Sequence, residues 1–233
     1  QSLVSTVKNI LQLAKVESGG VELEVSKASI KEVFHDLEVI FKDKTAKNGL
    51  SFNADWDEKI PHELMLDKNR LRQILISLCN NALRFTKEGG LEISAGYSIP
   101  EGNTNKIDLV LKVTDTGMGI PDEQKEHVFN SFSQGSESDS LNLKQSGGTG
   151  LDLAICKRFA SLMGGHLYFE TEMGKGTTFF LMLPGQELAH GHDEEQFHLI
   201  DEDKIQFKPA KILLADDTEA NREVIKLFLA DTG

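Results

Sequence analysis

Aromatic residues other than phenylalanine are scarce in this 233-residue chain, with one tryptophan and two tyrosines, and cysteine occurs only twice. Two thiols cannot make a disulfide scaffold. Cys79 and Cys156 lie in apolar helical patterns with no metal-like spacing, so both are expected to be reduced core residues. No run approaches the ~20 apolar residues that a membrane-spanning helix needs, and no signal peptide opens the chain. Basic charge is also in deficit: 25 lysines and arginines face 37 acids, a formal net charge of −12. That balance argues against nucleic acid or an anionic membrane as a main partner, because both attract basic surfaces. It does not argue against ATP, since the local field of a pocket can oppose the net charge. An initiating methionine is missing too, and the chain begins inside a helical pattern. It reads as a cytoplasmic piece of something longer, whose parent can be membrane-anchored.

What is present is ordinary for a globular protein, 39% hydrophobic and 27% charged, and long enough to bury a real core. Leu3, Val7, Ile10 and Ala14 form a narrow helical stripe that Ser18-Gly19-Gly20 stops. Val21, Leu23 and Val25 alternate as a short strand, and Ser29 with Glu32 caps a helix running to Lys47. After an Asn48-Gly49 turn come strands near Leu50–Ala54 and Glu63–Leu66. A helix over Lys68–Phe85 follows, with Leu71, Ile74, Leu75, Leu78, Cys79, Ala82 and Phe85 as its buried stripe. A hairpin joins Leu91–Tyr97 to Ile107–Thr114, and Asp122 starts an acidic helix to Phe129. Ser133–Gly148 is a Gly/Ser-rich loop, Thr149–Met163 a helix, and His166–Glu170 with Thr177–Leu183 a closing hairpin. The acidic stretch after Pro184, with His190, His192 and His198, reads as solvated linker rather than a metal site. Lys211–Ala215, then Asp216-Asp217, begins a further strand and helix too short to bury a core alone.

Three stretches carry chemistry. On the 68–85 helix Ser77, Asn81 and Arg84 share one flank, where an amide oxygen can take one position on a Mg²⁺ ion that otherwise keeps water and phosphate ligands. Arg84 can reach phosphate oxygens. Read alone, this flank is better explained as a polar surface in water. Asp115 closes an alternating strand and is followed by Gly117 and Gly119. A carboxylate there can accept from an exocyclic amine such as adenine N6, and the glycines permit positive φ and close approach to a flat base. An acidic turn is the plain alternative. Gly147-Gly148-Thr149-Gly150 opens a helix whose free N–H groups favour phosphate, but it is neither a Walker loop nor a dinucleotide turn.

Order and spacing join these segments. R-L-R-Q-I-L-I-S-L-C-N-N-A-L-R-F-T resembles the N box of sensor histidine kinases, and D-T-G-M-G-I-P their G1 box. V-F-N-S-F-S-Q resembles the F box, G-G-T-G-L-D-L-A-I the G2 box, and G-K-G-T-T-F-F-L-M-L-P the closing strand. N-I-L-Q-L-A-K-V-E-S-G-G is similar to the end of a dimerisation hairpin, and K-I-L-L-A-D-D-T-E-A-N-R to the start of a receiver domain. The whole resembles a hybrid sensor histidine kinase. The resemblance implies an α/β (α+β) two-layer sandwich of the Bergerat type: a mixed, mainly antiparallel sheet with helices on one face. It implies residues 1–18 as hairpin remnant, 19–184 as ATP-binding catalytic domain, 185–209 as linker and 210–233 as truncated receiver.

The same resemblance implies ATP and Mg²⁺ as cofactors, with Asn81 the Mg²⁺ ligand and Asp115 the adenine reader. Gly117 and Gly119 would lie beside the base, Arg84 near the phosphates and Thr178 near the adenine, with Phe85 and Ile120 also among the nucleotide-binding residues. Phe129 and Phe132 would anchor a lid over 133–148 that carries Lys144, and Gly148, Thr149, Gly150 and Leu151 would form its far end. Asp216 and Asp217 resemble a receiver's Mg²⁺-holding acids. Implied partners are a phosphoaccepting helical hairpin, a receiver domain or response regulator, and a second copy in the full-length protein.

The phosphoaccepting histidine is missing. His35 in F-H-D-L and His62 in P-H-E-L echo its motif but lack the following Arg and Pro, and they lie after the hairpin remnant instead of before it. Ser77 stands where the family often has an asparagine, and Asp152 where G2 has its last glycine. A carboxylate there suits the helix dipole and opposes a triphosphate. One alternative expectation is therefore a degenerate, non-catalytic regulator that pairs with another kinase; another is a different ATPase of the wider superfamily.

Overall fold

The computed structural model describes residues 7, 11, 14, 15, 20–100, 105–130 and 150–189. In chain order the elements after residue 20 are β1 (Ser26–Ala28), α1 (Ile30–Lys47), β2 (Ser51–Trp56), β3 (Leu64–Leu66) and α2 (Lys68–Phe85). They continue as β4 (Gly90–Ser98), β5 (Lys106–Asp115), α3 (Asp122–Lys125), α4 (Asp152–Leu162), β6 (His166–Glu172) and β7 (Gly176–Leu188). Residues 7, 11, 14 and 15 are helical. Gln1–Ala189 is one compact unit. Residues 190–233, including the receiver-like start with Asp216 and Asp217, lie outside the described residues.

Capping decides where the helices begin. The Ser29 hydroxyl accepts from the Glu32 amide at 3.3 Å and starts α1. The Glu32 carboxylate does not fold back; it pairs with Lys68 at 2.6 Å. Buried Val33, Phe34, Leu37 and Phe41 form the inward stripe of α1. Burial of each such large side chain stabilises the fold by about 1.5–3 kcal/mol. The helix stops where Gly49 takes φ 70°. Asp67 caps α2 more elaborately. Its buried carboxylate accepts from the Arg70 amide at 2.9 Å and from the Glu24 amide at 3.0 Å, tying the N-terminal segment to the helix start.

The seven strands run in the order β1-β3-β7-β5-β4-β2, with β6 also paired to β7. Only β2–β4 is parallel; every other pairing is antiparallel. Alternation sets the faces. Leu91, Ile93, Ile107, Leu109, Leu111, Val113, Phe179, Leu181 and Leu183 are buried, on the face that carries α1, α2 and α4. The intervening side chains are more open. Among them Tyr168 stacks on Phe180 at 4.8 Å, and Lys112 lies 5.5 Å over the Phe180 ring. This is the expected sandwich, with helices on one face of a mainly antiparallel sheet.

Four expected boundaries move. Val21 and Leu23 are half-buried as expected, but Val25 is exposed, and the ladder forms later, where Ser26–Ala28 pairs with Leu64–Leu66. α3 ends at Lys125, having no buried residue to extend it toward Phe129. α4 begins at Asp152 instead of Thr149, because Gly150 sits at φ 69°, outside helical space. β7 runs on to Leu188, past Pro184, into the stretch expected to be linker. A register shift between Ile107 and Leu109 accommodates the proline, and the Gly185 amide donates to Asp108 Oδ1 at 2.8 Å across it.

Candidate functional site

Asp115 is the last residue of β5 and only 6% exposed. Its parity points it to the helix-covered face, beside Thr177 on β7. Oδ1 accepts from the Gly117 amide at 2.8 Å and from the Thr177 amide at 3.3 Å. Burial pushes this carboxyl above its ordinary value, and the two backbone donors partly oppose that. Both of these hydrogen bonds fall on Oδ1, and Oδ2 has no partner among the described residues. The arrangement is a carboxylate fixed through one oxygen, with the other able to accept a hydrogen bond.

The glycines after it are required by protein neighbours. A Cβ on Gly117 would stand 2.6 Å from the Phe85 carbonyl oxygen and 2.8 Å from Asp115 Oδ1. Gly119 alone of the pair has positive φ, 76°, and a Cβ there would collide with the Glu172 carbonyl. The loop is pinned on three sides. The Met118 amide reaches the Phe85 carbonyl at 3.4 Å and the Met118 carbonyl accepts from the Gly174 amide at 2.8 Å. The Ile120 amide donates to Thr171 Oγ1 at 2.9 Å. Thr116 Oγ1 bonds the Glu88 carbonyl at 2.8 Å and accepts from the Gly90 amide at 3.0 Å.

One turn back along α2 a cavity of about 920 Å³ opens toward α4, lined among others by Ser77, Asn81, Arg84, Asp152 and Cys156. Arg84 Nη2 donates to Asn81 Oδ1 at 2.8 Å, and the guanidinium lies 4.5 Å over the Phe85 ring. Its Nε is buried without a partner among the described residues. Burial pulls the Arg84 guanidinium below its ordinary value, and the Asp152 carboxylate pushes back. Asp152 therefore turns into the cavity. Asn81 and Asp152 together offer an amide oxygen and a carboxylate, hard donors that fit a divalent cation keeping water and phosphate ligands. Cys156 Sγ donates to the Ile74 carbonyl at 3.9 Å, and burial pushes its thiol up to about 12. Cys79 is likewise a buried free thiol.

One expected position needs correction. Thr178 does not approach Asp115: it pairs with Thr114 on the opposite face, their hydroxyls 3.1 Å apart. The threonine beside Asp115 is Thr177, because strand neighbours one residue apart face opposite ways. Sequence reading missed it, and also Thr171, whose hydroxyl contacts Thr177 at 2.9 Å and holds Ile120. Counting the pleat across the β5–β7 pair would have found Thr177. Phe85 is half-buried instead of part of the core stripe, and Ile120 packs at the edge of the core. Phe129 docks on Phe169 and Phe179 at 5.7 and 6.4 Å, under Lys157. Leu151 is fully buried at the start of α4. His35 is exposed on α1, and His62 is exposed just before β3. Phe132, Lys144, Gly148 and Thr149 lie outside the described residues. Among the described residues no helix is long and apolar enough to cross a membrane, and no three acids, histidines or cysteines gather as a metal site.

The chain is 32% identical over its full length to the aerobic respiration control sensor protein ArcB of Escherichia coli (strain K12), covering 28% of that protein. It is 30% identical over 98% of its length to the autoinducer 2 sensor kinase/phosphatase LuxQ of Vibrio vulnificus (strain YJ016), covering 26% of it. The chain thus spans little more than a quarter of these relatives. Among solved structures, full-length ShkA in complex with AMPPNP matches with a TM-score of 0.68 at 26% identity, over 81% of this chain and 37% of that one. Residues 66–187, which run from the end of β3 almost to the end of β7 and so contain Asn81, Asp115 and Asp152, match the histidine kinase-, DNA gyrase B- and HSP90-like ATPase family, and the chain belongs to it.

Proposed function

We propose that this chain is the ATP-binding catalytic region of a hybrid sensor histidine kinase. The observation that carries this reading is Asp115, a buried carboxylate whose Oδ1 is held by two backbone amides while Oδ2 is left for a ligand. In that role Oδ2 accepts from adenine N6 and selects adenine over guanine, whose corresponding edge presents an acceptor. Gly117, Gly119 and Ile120 shape the base's seat, and Thr177 fixes the carboxylate from the neighbouring strand. Asn81 supplies an amide oxygen to Mg²⁺, and Arg84 turns from Asn81 to the phosphates. Mg²⁺, when bound, would offset the negative charge of the phosphates. The chain's own residues position the nucleotide and exclude water around it.

The parent protein would transfer the γ-phosphoryl to a histidine on a helical hairpin, in its own subunit or a partner copy, and then to a receiver aspartate. Residues 1–18 would be the remnant of that hairpin, 185–209 a linker and 210–233 the start of the receiver, with Asp216 and Asp217 as its cation-binding acids. Lys144, Phe132, Gly148 and Thr149 would belong to the lid. Titration with a fluorescent ATP analogue and Mg²⁺ tests the core of the reading, and micromolar affinity is expected. One observation favours a second reading, a degenerate regulator without catalysis: Asp152 lines the phosphate end of the cavity. No binding by the wild-type chain, restored by Asp152→Gly, would establish that reading instead.

A further inference from the structure

We propose that Thr171 is a positioning residue of the base seat: its hydroxyl accepts the proton of the Thr177 hydroxyl, so that the side chains beside Asp115 offer a ligand acceptors and no donor. The inference rests on the nucleotide reading above and deepens it. Three strands carry the polar row concerned. On the helix-covered face Leu167, Leu181 and Leu111 are neighbours across β6, β7 and β5, and so are Phe169, Phe179 and Val113. The next row is Thr171, Thr177 and Asp115, where the apolar pattern gives way to three polar side chains. Thr177 is its buried middle member, and its amide holds Asp115 Oδ1 at 3.3 Å.

The groups around Thr171 set the direction of each hydrogen bond. A hydroxyl has one proton to donate and two lone pairs that accept. The Ile120 amide can only donate, and it does so to Thr171 Oγ1 at 2.9 Å. The Gly176 carbonyl can only accept, and Thr171 Oγ1 donates to it at 3.1 Å. Thr171 therefore meets Thr177 Oγ1, 2.9 Å away, with its remaining lone pair, and Thr177 is the donor. The reverse direction would leave the Thr171 and Gly176 oxygens 3.1 Å apart with no proton between them. With its proton directed at Thr171, Thr177 keeps lone pairs alone, as does Oδ2 of the Asp115 carboxylate. A base edge that presents an amine suits such a row, whereas one that presents a carbonyl sets acceptor against acceptor. The same Thr171 hydroxyl ties the Gly117–Ile120 loop to the β6–β7 hairpin, so both sides of the seat depend on it.

The test displaces a fluorescent ATP analogue from the whole chain, in Mg²⁺, with ATP and with ITP, which carries a carbonyl in place of the 6-amine. Wild type should prefer ATP. Thr171→Val keeps a β-branched side chain in the strand but frees the Thr177 proton to meet a carbonyl. It is expected to lower the ratio of ATP to ITP affinity about three- to tenfold, and Thr171→Ser to hold that ratio within about twofold of wild type. In a Thr177→Val background, Thr171→Val should leave the ratio unchanged. A latch that serves only stability would weaken both nucleotides in parallel, and an unchanged ratio in Thr171→Val overturns the proposal. So does a serine variant that behaves like the valine one, or a shift that persists without the Thr177 hydroxyl. Thr171→Ala removes the hydroxyl a second way and should give the same shift; loss of folding in both the valine and alanine variants also overturns the proposal, because the hydroxyl would then act on stability. A wild type that binds the analogue without preferring ATP to ITP overturns this inference alone. No binding by wild type or any variant, with unchanged melting temperatures, removes the nucleotide reading and this inference with it.

Discussion

Replacing Asp115 with asparagine separates recognition from stability. The amide oxygen of Asp115→Asn keeps the two backbone donors that Oδ1 now takes, from Gly117 at 2.8 Å and Thr177 at 3.3 Å. The amide nitrogen then stands where Oδ2 would meet adenine N6, and a donor faces a donor. A hydrogen bond to a charged acceptor contributes about 1.5–3 kcal/mol. Its loss, with the opposed donor added, weakens ATP binding by about 2–3 kcal/mol, or about 30- to 150-fold. GTP should weaken less or improve, because guanine O6 accepts from the new amide. The empty protein should not lose stability at pH 7. Burial raises the folded pKa of Asp115 above the ordinary 3.8, so its contribution favours folding fully below 3.8 and is lost as pH rises through the folded value. At neutral pH the ionised group is a net cost that the variant removes. Calorimetric titration with ATP and GTP, and thermal melting at pH 5 and 7, read both effects. A variant that binds ATP within about threefold of wild type refutes the adenine-reading role. A variant that loses ATP only by unfolding refutes the stability argument.

Other perturbations probe the frame around the site. Gly176 sits at φ 113°, and an alanine Cβ there would overlap the Asp115 carbonyl, whereas Gly174 at φ 78° has open space. In urea denaturation Gly174→Ala should cost about 1–2 kcal/mol from backbone strain alone, and Gly176→Ala clearly more, with weaker nucleotide binding besides. Asp67→Ala removes both the cap of α2 and the tie to Glu24, and should cost about 2–3 kcal/mol by the same denaturation measurement without altering nucleotide affinity in the folded fraction. Cys79 and Cys156 are pushed by burial from the ordinary 9.0 up to about 12. Their contribution to stability is present below 9.0 and lost as pH rises toward about 12, and thiol labelling at pH 8 should proceed only as fast as the protein opens.

The main helices and strands were legible where pattern and cap coincide. Ser29 and Asn48 bracket α1, and α2 spans Lys68–Phe85 as its apolar period requires. Boundaries moved where a single backbone geometry governs. Gly150 at φ 69° delays α4, and the Pro184–Gly185 irregularity lets β7 continue. Asp115 was legible as a candidate because it ends an alternating strand and is followed at once by two glycines. Thr177 was not, since two adjacent threonines differ only in which face the pleat gives them, and that depends on pairing with β5. Likewise the direction of Asp152 depends on where α4 packs against α2, a long-range contact that no local pattern encodes.

The two ends of the site differ in how firmly they are built, and Phe85 connects them. Its carbonyl abuts Gly117 and receives the Met118 amide at 3.4 Å, while its ring carries the Arg84 guanidinium at 4.5 Å. Both groups that hold Asp115 are backbone amides, one in the pinned loop at Gly117 and one on β7 at Thr177. Such a seat loses little freedom when occupied, so a bound base would yield nearly its full interaction energy. In the cavity beside it the groups are side chains, and Arg84 leaves Nε buried and unpartnered among the described residues while its Nη2 covers the Asn81 oxygen. A buried unsatisfied donor costs about 1–3 kcal/mol, so this arrangement stands above one in which Arg84 meets an anion. On the nucleotide reading, adenine docks first into the rigid seat. The free energy it releases there, together with the cost stored at Arg84 Nε, favours rearrangement of the phosphate end once a ligand can accept the guanidinium.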